Sequence, residues 1–385
     1  MFASDCKESF GSTEWRTING DECSGYWPAG TAAVHIAGAT ARHLAATCDE
    51  RFETECGAEL LVETARLWVR LGHHLDGVFR IDGVTGPDEY TAIVHNNIYT
   101  NLAAQQNLRD AVAVCLRRPD LTDQFDVDPT EISAWQRCAD HMYLPYDDRR
   151  RVHQQSEHFT TLAAWDFDES ADKYPLLLHY PYYDLYRKQV VKQADLVLAM
   201  YLRGDAFTAE QKRRNFDYYE PLTVRDSSLS ACGQAVLAAE VGYLDLAYNH
   251  LVETAFTDLH DLHDNVSNGL HIAALVGTWH ACVAGFGGMR DHNGDITFAP
   301  CLPPAMKSGP NCGCRVAAST VLSRTSTGPT GLMLPVDPVV SAGSVGSEVV
   351  IGCTVSCVWG GGVVEDDAAV DGAGGHVGED VVDFG

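Results

Sequence analysis

From about residue 20 to about residue 300, one helix-patterned segment follows another, separated by short breaks at glycine or proline. Apolar residues recur near helical spacing in segments 55–75 and 93–116, while 186–202 is apolar almost all round and is predicted to be a buried helix. Segments 229–241 and 243–256 are separated only by Gly242, which predicts an antiparallel helix pair. We expect about eight or nine helices and hardly any strands before residue 295.

Helix hairpins in series are typical of an α/α toroid or an α-solenoid. The sequence has no repeat of fixed period, which disfavours the solenoid. The predicted fold class is therefore all-α, with a toroidal arrangement of helix pairs.

The sequence changes character after Pro304. Residues 305–385 contain 15 of the 34 glycines, and helical periodicity is lost there. We therefore divide the chain into a helical part, 1–303, and a Gly-, Val- and Asp-rich tail, 304–385, expected to be irregular, β-like or poorly ordered and not native to the fold.

The chain carries 27 basic and 53 acidic residues, a formal net charge of −26. Such a charge repels phosphate backbones and anionic lipid, so neither a nucleic-acid partner nor a membrane is expected. There is no long apolar run and no secretory signal after Met1, which favours a cytoplasmic protein whose 13 cysteines are reduced. The spacings of Cys312–Cys314 and Cys353–Cys357 fit no standard zinc pattern, so no metal is expected.

The most informative short segment is the Gly- and Pro-rich turn 83–90, which contains Glu89. In a toroid, the loops at one end line the central cavity. A glutamate fixed between Pro87-Asp88 and Tyr90 suits a general acid, because partial burial beside an aromatic ring favours the protonated form of a carboxylic acid. The alternative is a loop with a solvent-facing acidic pair.

A second segment places Ser227 and Ser228 just before a helix predicted to begin near Leu229. Hydroxyls and unpaired N–H groups at a helix N-terminus can hold a phosphate even in a strongly acidic protein. His271, expected in the first turn of another helix, could contact the same anion. The alternatives are an ordinary serine cap and a structural histidine.

A third segment places Lys192 and Gln193 at the start of the predicted buried helix 186–202. Such polar side chains are costly there without partners, and a hydroxyl-rich ligand would supply them. The alternative is a lysine whose ammonium reaches solvent at the helix edge. The polar and aromatic loop 17–31 also suits stacking against a sugar.

Taken together, these segments resemble glycoside hydrolase family 65, the inverting phosphorylases of maltose, trehalose, kojibiose or nigerose. The similar stretches are Gly86-Pro87-Asp88-Glu89-Tyr90, Asn96-Asn97 with Tyr99-Thr100-Asn101, 174–180, Lys192-Gln193-Ala194-Asp195, 218–230 and Gly269-Leu270-His271-Ile272. The resemblance covers about 15–303 and implies an (α/α)₆ barrel, here incomplete at its N-terminal side. An open toroid is expected to expose apolar inter-helix surface.

The resemblance also implies roles for individual residues. Glu89 would protonate the glycosidic oxygen, and inorganic phosphate, a co-substrate rather than a cofactor, would attack the anomeric carbon to give β-glucose 1-phosphate. The implied phosphate-binding residues are Ser227, Ser228 and His271, and the implied contacts to the transferred glucosyl unit are Lys192 and Gln193. A homodimer is a further expectation from the family.

The reaction chemistry fits one acid and no base, because phosphate arrives already anionic. A hydrolytic inverting enzyme needs a second carboxylate roughly 6.5–9.5 Å away to activate water. Asp226 remains a candidate for that base, so a trehalase-like hydrolase is one alternative and a truncated, inactive fragment another. Thr91 and His95 depart from the His and Asp usual in the family.

Overall fold

A computed structural model of the chain describes residues 30–292 and 295–303, with side chains from residue 36, and elsewhere only the backbone of short strands. The predicted tail 304–385, its cysteine pairs and the loop 17–31 lie mostly or wholly outside the described residues. The α-helices in the described residues are α1 (Gly30–Thr47), α2 (Glu50–Phe52), α3 (Ala58–Leu71), α4 (Ile98–Arg117), α5 (Pro119–Gln124), α6 (Pro129–Asp140), α7 (Tyr182–Leu185), α8 (Asp195–Leu202), α9 (Ala209–Tyr219), α10 (Ser230–Glu240), α11 (Leu244–Phe256) and α12 (Ile272–His280).

The helices are supplemented by tighter and wider turns and by small sheets. π-helical turns at Glu53–Gly57 and Ala281–Phe286 adjoin α3 and α12, and 3₁₀ turns occupy Phe159–Thr161, Leu176–Leu178, Gly204–Ala206, Glu220–Leu222 and Val266–Asn268. The strands are β1 (Trp15–Arg16), β2 (Glu22–Cys23), β3 (Gly72–Leu75), β4 (Val78–Ile81), β5 (Tyr146–Asp147), β6 (Val152–His153), β7 (Ala163–Ala164), β8 (Lys188–Gln189), β9 (Arg290–His292), β10 (Asp295–Thr297), β11 (Arg315–Val316), β12 (Leu322–Thr325), β13 (Gly328–Gly331) and β14 (Val355–Ser356).

All the strands form two-stranded sheets. Antiparallel pairs are β1–β2, β3–β4, β5–β6, β9–β10, β11–β14 and β12–β13, whereas β7–β8 is parallel. In the β3–β4 hairpin, Gly72 pairs with Ile81 and Leu75 with Val78. The described part of the chain is thus helix-rich. The expectation of hardly any strands before residue 295 is wrong, because nine short strands, β1 to β9, precede it in the described part of the chain.

The helix pair α10–α11 confirms the antiparallel pair expected from segments 229–241 and 243–256. Gly242 links the two helices with φ of +90°, a conformation that favours glycine. The Tyr243 N–H donates to the Ala238 carbonyl at 2.8 Å and satisfies one of the last carbonyls of α10. The pair therefore closes with a single residue between its caps.

The predicted helix 186–202 is wrong in its first half, because helix α8 begins only at Asp195. Val191 instead pairs with the segment before α10: its N–H donates to the Leu222 carbonyl, and its carbonyl accepts from the Val224 N–H, each at 3.0 Å. The backbone N–H groups of Lys192 and Gln193 donate hydrogen bonds to the Asp88 carboxylate, at 2.9 and 3.4 Å. Long-range partners therefore outweigh the local helical pattern there.

The main hydrophobic core lies where α4, α8 and α10 meet, with α3, α6 and α9 packed around them. Its largest fully buried side chains include Trp68, Trp135, Phe79 and Phe216. A smaller cluster of Tyr90, Leu176, Leu185 and Val190 supports the loop that carries Glu89. Both clusters place rigid packing directly beneath the candidate site.

Helix α12 has an exposed apolar face formed by Ile272, Leu275, Val276 and Trp279, which are 63%, 51%, 50% and 44% exposed. Their i, i+3, i+4, i+7 spacing is that of a helix face normally buried against another element. This agrees with the expectation that apolar inter-helix surface is exposed. None of the helices in the described ranges has the length and apolar character of a membrane-spanning segment.

Candidate active site

The loop that carries Glu89 is closed at its base and packed closely at its tip. Backbone hydrogen bonds between Val84 and Val94, at 2.9 and 2.8 Å, tie the two ends together. At Gly86, any Cβ would overlap Asp195 Oδ2 and Asn97 Nδ2, so only glycine fits there. The sequence Gly86-Pro87 therefore brings the loop directly onto the start of α8.

Residues 88–90 alternate between the interior and the surface. Asp88 is 0% exposed, and its carboxylate accepts hydrogen bonds from the N–H groups of Tyr90 (3.1 Å) and Lys192 (2.9 Å) and from Gln155 Nε2 (2.8 Å). Burial raises the pKa of Asp88 to about 6, although these hydrogen bonds oppose the shift. Glu89 consequently points away from the core.

Asp195 is the second buried carboxyl group at this place, and it is 1% exposed. Its Oδ1 accepts from the Asp88 N–H at 2.7 Å, and its Oδ2 accepts from Asn97 Nδ2 at 2.6 Å. Burial, and after it the charge of Asp88, raises the pKa of Asp195 well above the usual range. Gln155 bridges the two, since its Oε1 accepts from the Asp195 N–H at 3.0 Å.

Tyr90 is buried on the other side of Glu89 and donates its hydroxyl hydrogen bond to Asp226 Oδ2 at 2.6 Å. The same oxygen accepts from the Leu176 N–H at 2.7 Å. Burial, together with Asp226, raises the pKa of Tyr90. One oxygen of Asp226, the candidate hydrolytic base, thus accepts two hydrogen bonds. Through its contact with Tyr90, Asp226 anchors the loop that carries Glu89.

Glu89 itself differs from the expected partly buried acid beside an aromatic ring. Its side chain is 43% exposed, and its Oε2 lies 2.7 Å from Lys192 Nζ. The Lys192 side chain is only 13% exposed, so its ammonium does not reach far into solvent. Lys192 also lies before the start of α8, outside the helix. The sequence placed both residues in the site but did not predict that they form an ion pair.

Gln193 connects this ion pair to the serine segment. Its Oε1 accepts from Ser227 Oγ at 2.8 Å, and its Nε2 donates to the Pro87 carbonyl. Ser230 Oγ also donates to the Lys192 carbonyl at 2.8 Å. Glu89, Lys192, Gln193 and Ser227 are therefore joined in one network built from three separate segments.

The two serines form the turn that precedes α10, which starts at Ser230. Ser227 Oγ accepts from the Leu229 N–H at 3.2 Å, and Ser228 is half-buried. Among the hydrogen bonds of the described residues, Ser228 does not join the network around Glu89. The predicted position at a helix N-terminus is therefore correct to within a few residues.

His271 lies immediately before α12, rather than in its first turn. Its Nδ1 is 2.6 Å from Asp258 Oδ1, and its N–H donates to Asp258 Oδ2 at 2.8 Å. The hydrogen bond from His271 lowers the pKa of Asp258. A proton on Nδ1 leaves Nε2 as the ring nitrogen that can contact a ligand.

Helix packing places His271 at the same end of the molecule as the serines. Gly277 of α12 abuts Cys232 of α10, and Gly285 further along abuts Val236. The two helices therefore run in the same direction, and the segments before them lie at a common end. Within the described residues, no hydrogen bond connects His271 to the network around Glu89.

A charged cluster lies beneath the serine segment. His250 is 3% exposed, and its Nε2 is 3.0 Å from Glu220 Oε1. Burial opposes the charged form of His250, but the hydrogen bonds with Glu220 and Glu253 outweigh it, and the net effect raises its pKa. Arg225 lies 3.5 Å from Glu220 and 3.4 Å from Glu253. Because Arg225 belongs to this cluster, its ion pairs fix the chain two residues before Ser227.

The sequence reasoning gave no role to the buried residues Asp195, Gln155 and Asn97. A usable signal was present, because Asp195 opens the otherwise apolar helix Asp195–Leu202. A carboxyl group at such a position needs several donors. Those donors come from Asn97 and Asp88, which are distant in sequence, so local patterns could not identify them.

Comparison with known proteins identifies the family. The model of the glycosyl hydrolase family 65 central catalytic domain matches residues 11–280. The chain belongs to glycosyl hydrolase family 65. This confirms the family resemblance and places the chain in a family of glycoside phosphorylases and hydrolases.

Three family 65 relatives show how much of such a protein the chain covers. It is 56% identical to an uncharacterized glycosyl hydrolase of Mycobacterium leprae over 75% of this chain and 37% of that protein. It is 45% identical to an α,α-trehalose phosphorylase of Geobacillus stearothermophilus over 76% of this chain and 40% of that protein. A solved structure from the human microbiome that carries the name of a kojibiose phosphorylase matches with a TM-score of 0.66 and 26% identity, over 74% of this chain and 44% of that one. The chain thus spans about two fifths of the length of these curated relatives.

Proposed function

We propose that the chain forms the catalytic part of an inverting family 65 phosphorylase. It would convert an α-glucosyl disaccharide of the trehalose, maltose or kojibiose type, together with phosphate, into β-glucose 1-phosphate and glucose. The observation that carries the proposal is the network in which Glu89 and Ser227 are linked through Lys192 and Gln193. It combines a carboxylic acid, sugar-binding side chains and a hydroxyl-bearing turn at a helix start.

The proposed architecture is an (α/α)₆ toroid of which this chain forms a part. The series of helix pairs and the match, at a TM-score of 0.66, to the structure that carries the name of a kojibiose phosphorylase support it. In such a toroid, the loop of Glu89, the serine turn and the segment before α12 would all face one end of the cavity.

In the proposed mechanism, Glu89 protonates the glycosidic oxygen as the bond to the anomeric carbon breaks. Hydroxyl groups of the glucosyl unit would draw the Lys192 ammonium away from Glu89, which allows Glu89 to carry the proton that it donates. Gln193 would hold a further hydroxyl. The leaving glucose then departs with the proton of Glu89.

Phosphate would bind to Ser227, Ser228 and His271 and attack from the opposite face. The nucleophile is already anionic, so no general base is required, and a carboxylate there would repel it. One oxygen of Asp226 is held by Tyr90 and Leu176, which favours phosphorolysis over hydrolysis with Asp226 as base. Phosphate serves as a co-substrate, and the proposed reaction uses no cofactor. A cytoplasmic location, where free phosphate is abundant, and a homodimer remain part of the proposal.

The test is to incubate the protein with trehalose, maltose or kojibiose, with and without phosphate, and to assay glucose and glucose 1-phosphate separately. Phosphate-dependent formation of glucose 1-phosphate is expected. Glucose release that ignores phosphate would contradict phosphorolysis and support the hydrolase alternative. Absence of turnover on every glucoside, with strong binding of a dye that detects exposed apolar surface, would support an inactive fragment.

A further inference from the structure

Two buried carboxyl groups, Asp88 and Asp195, meet beneath the Glu89–Lys192 ion pair. We propose that this carboxylate pair, matched by the amide of Asn97, positions Glu89 against Lys192. The three are positioning residues, because none of their hydrogen bonds in the described residues reaches the side chain of Glu89 or Lys192, the two groups proposed to meet the substrate. Their role as aids to catalysis rests on the proposed function of Glu89, whereas their effect on the ion pair does not.

The contacts between the two segments are reciprocal. The Asp88 N–H donates to Asp195 Oδ1 at 2.7 Å, while Asp88 Oδ1 accepts from the Lys192 N–H at 2.9 Å. Asp88 Oδ1 also accepts from the Tyr90 N–H at 3.1 Å. The backbone is thus fixed on both sides of Glu89 and at Lys192 itself, so the distance between their side chains is set by this contact.

The carboxylate pair does not stabilise the fold through an ion pair, because no cation of the described residues contacts either carboxyl group. Every hydrogen-bond donor to Asp88 and Asp195 in the described residues is a neutral N–H group. Lys192 directs its ammonium to Glu89 instead. Buried acids without a counter-charge lower the stability of a fold relative to a neutral, well-packed pair. Geometry is therefore the property that the pair supplies.

Asn97 fixes which residue donates and which accepts in the hydrogen bond between residues 97 and 195. Its Oδ1 accepts from the Thr100 N–H at 3.0 Å and caps α4, which forces Nδ2 toward Asp195 Oδ2. An aspartate at 97 could still cap the helix. An asparagine at 195 could still accept from the Asp88 N–H while donating to an aspartate at 97. Exchanging the two side chains thus restores every hydrogen bond, whereas Asp195→Asn alone opposes two amide N–H groups and Asn97→Asp alone opposes two carboxyl groups, which can bond only by keeping a proton between them.

The test compares wild type, Asp195→Asn, Asn97→Asp and the double variant by competitive acylation of lysine amines, read by mass spectrometry. Labelling of Lys192 is divided by that of Lys212, which is paired with Glu240 away from the site and serves as the internal reference. The labelling ratio of Lys192 to Lys212 is expected to rise at least about fivefold in each single variant, the equivalent of about 1 kcal/mol. The double variant is expected to return to within about twofold of wild type.

Unchanged labelling of Lys192 in both single variants would overturn the proposal. So would a double variant that labels like the single ones. A single variant that fails to fold exposes Lys212 as well, and the double variant then decides: recovery of the wild-type Tm and of Lys192 protection supports the proposal, and failure to recover either overturns it.

Because amine labelling needs no turnover, failure of the proposed function does not affect this result. If wild type is active, a second comparison uses α-glucosyl fluoride, whose leaving group needs no proton. Asp195→Asn is expected to lower kcat on the disaccharide at least tenfold more than kcat on the fluoride. Equal losses on both substrates would show that the carboxylate pair does not act through Glu89.

Discussion

Lys192 Nζ lies 2.7 Å from Glu89 Oε2, joining two segments 103 residues apart in one ion pair. The contact matters because each partner has a separate proposed task, proton donation and sugar binding. In the proposed mechanism, binding of the sugar by Lys192 and release of the Glu89 carboxyl group from the ion pair are thereby coupled.

Glu89→Gln is expected to lower turnover of the disaccharide by about 10²–10⁴-fold, because it removes the proton donor but keeps the shape of the side chain. The measurement is the initial rate of glucose 1-phosphate formation at saturating substrate. Glu59→Gln on the exposed face of α3 is the matched control and should leave the rate unchanged. A variant at 89 that retains more than about a tenth of the rate would contradict an acid role.

Ser228→Ala is expected to raise the phosphate concentration needed for half-maximal rate about tenfold, the equivalent of about 1.4 kcal/mol. Ser227→Ala should do the same and in addition weaken sugar binding, because Ser227 also donates to Gln193. Phosphate titrations at fixed disaccharide separate the two effects. Ser133→Ala, at an exposed position in α6, is the control. An equal loss at saturating phosphate would argue against phosphate binding by these serines.

Stability is expected to fall as pH rises through about 6, to the extent that it depends on Asp88. The folded pKa of Asp88, about 6, lies above its unfolded value of 3.8, so the folded chain binds the extra proton between these values. Deprotonation at higher pH then lowers the free energy of unfolding. The Tm of wild type minus the Tm of Asp88→Asn should therefore decrease as the pH rises from 5 to 7.5. A difference in Tm that is constant over this range would count against a titrating Asp88.

The double change Leu275→Gln with Val276→Gln on α12 is expected to reduce binding of an apolar-surface dye about twofold and to lessen self-association, because both side chains are about half exposed. The Tm should shift by less than about 3 °C. Leu116→Gln on α4 is the control, since Leu116 is 69% exposed but not part of the α12 face. Undiminished dye binding would mean that another surface is responsible.

The sequence predicted those parts of the fold that depend on local pattern. Helices α3, α10 and α11 lie within a few residues of the segments with helical spacing, because their apolar faces are read directly from neighbouring residues. Segment 188–194 was misassigned, since its apolar residues suit a helix but its N–H groups bond to Asp88 and Leu222. Partners 30 or more residues away leave no trace in a local pattern.

The candidate site shows the same division. Motif order was sufficient to single out Glu89, Lys192, Gln193 and Ser227, which the structure joins in one network. The exposure of Glu89 agrees with the alternative of a solvent-facing loop, but Asp88 is buried, so the pair does not face solvent together. The alternation of residues 88–90 depends on where Asp195 and Gln155 lie. The roles of all six proposed site residues, including Ser228 and His271, remain predictions until turnover is measured.

Gly86 has a further consequence for anyone who diversifies this loop. Its α-carbon hydrogen faces Asp195 and Asn97 with no space for even a methyl group. In a library randomised at position 86 and screened for turnover, glycine alone should therefore be recovered. That invariance would appear before any substrate preference is selected, and it marks the point where the close approach of the loop to Asp195 and Asn97 limits how this chemistry can be redesigned.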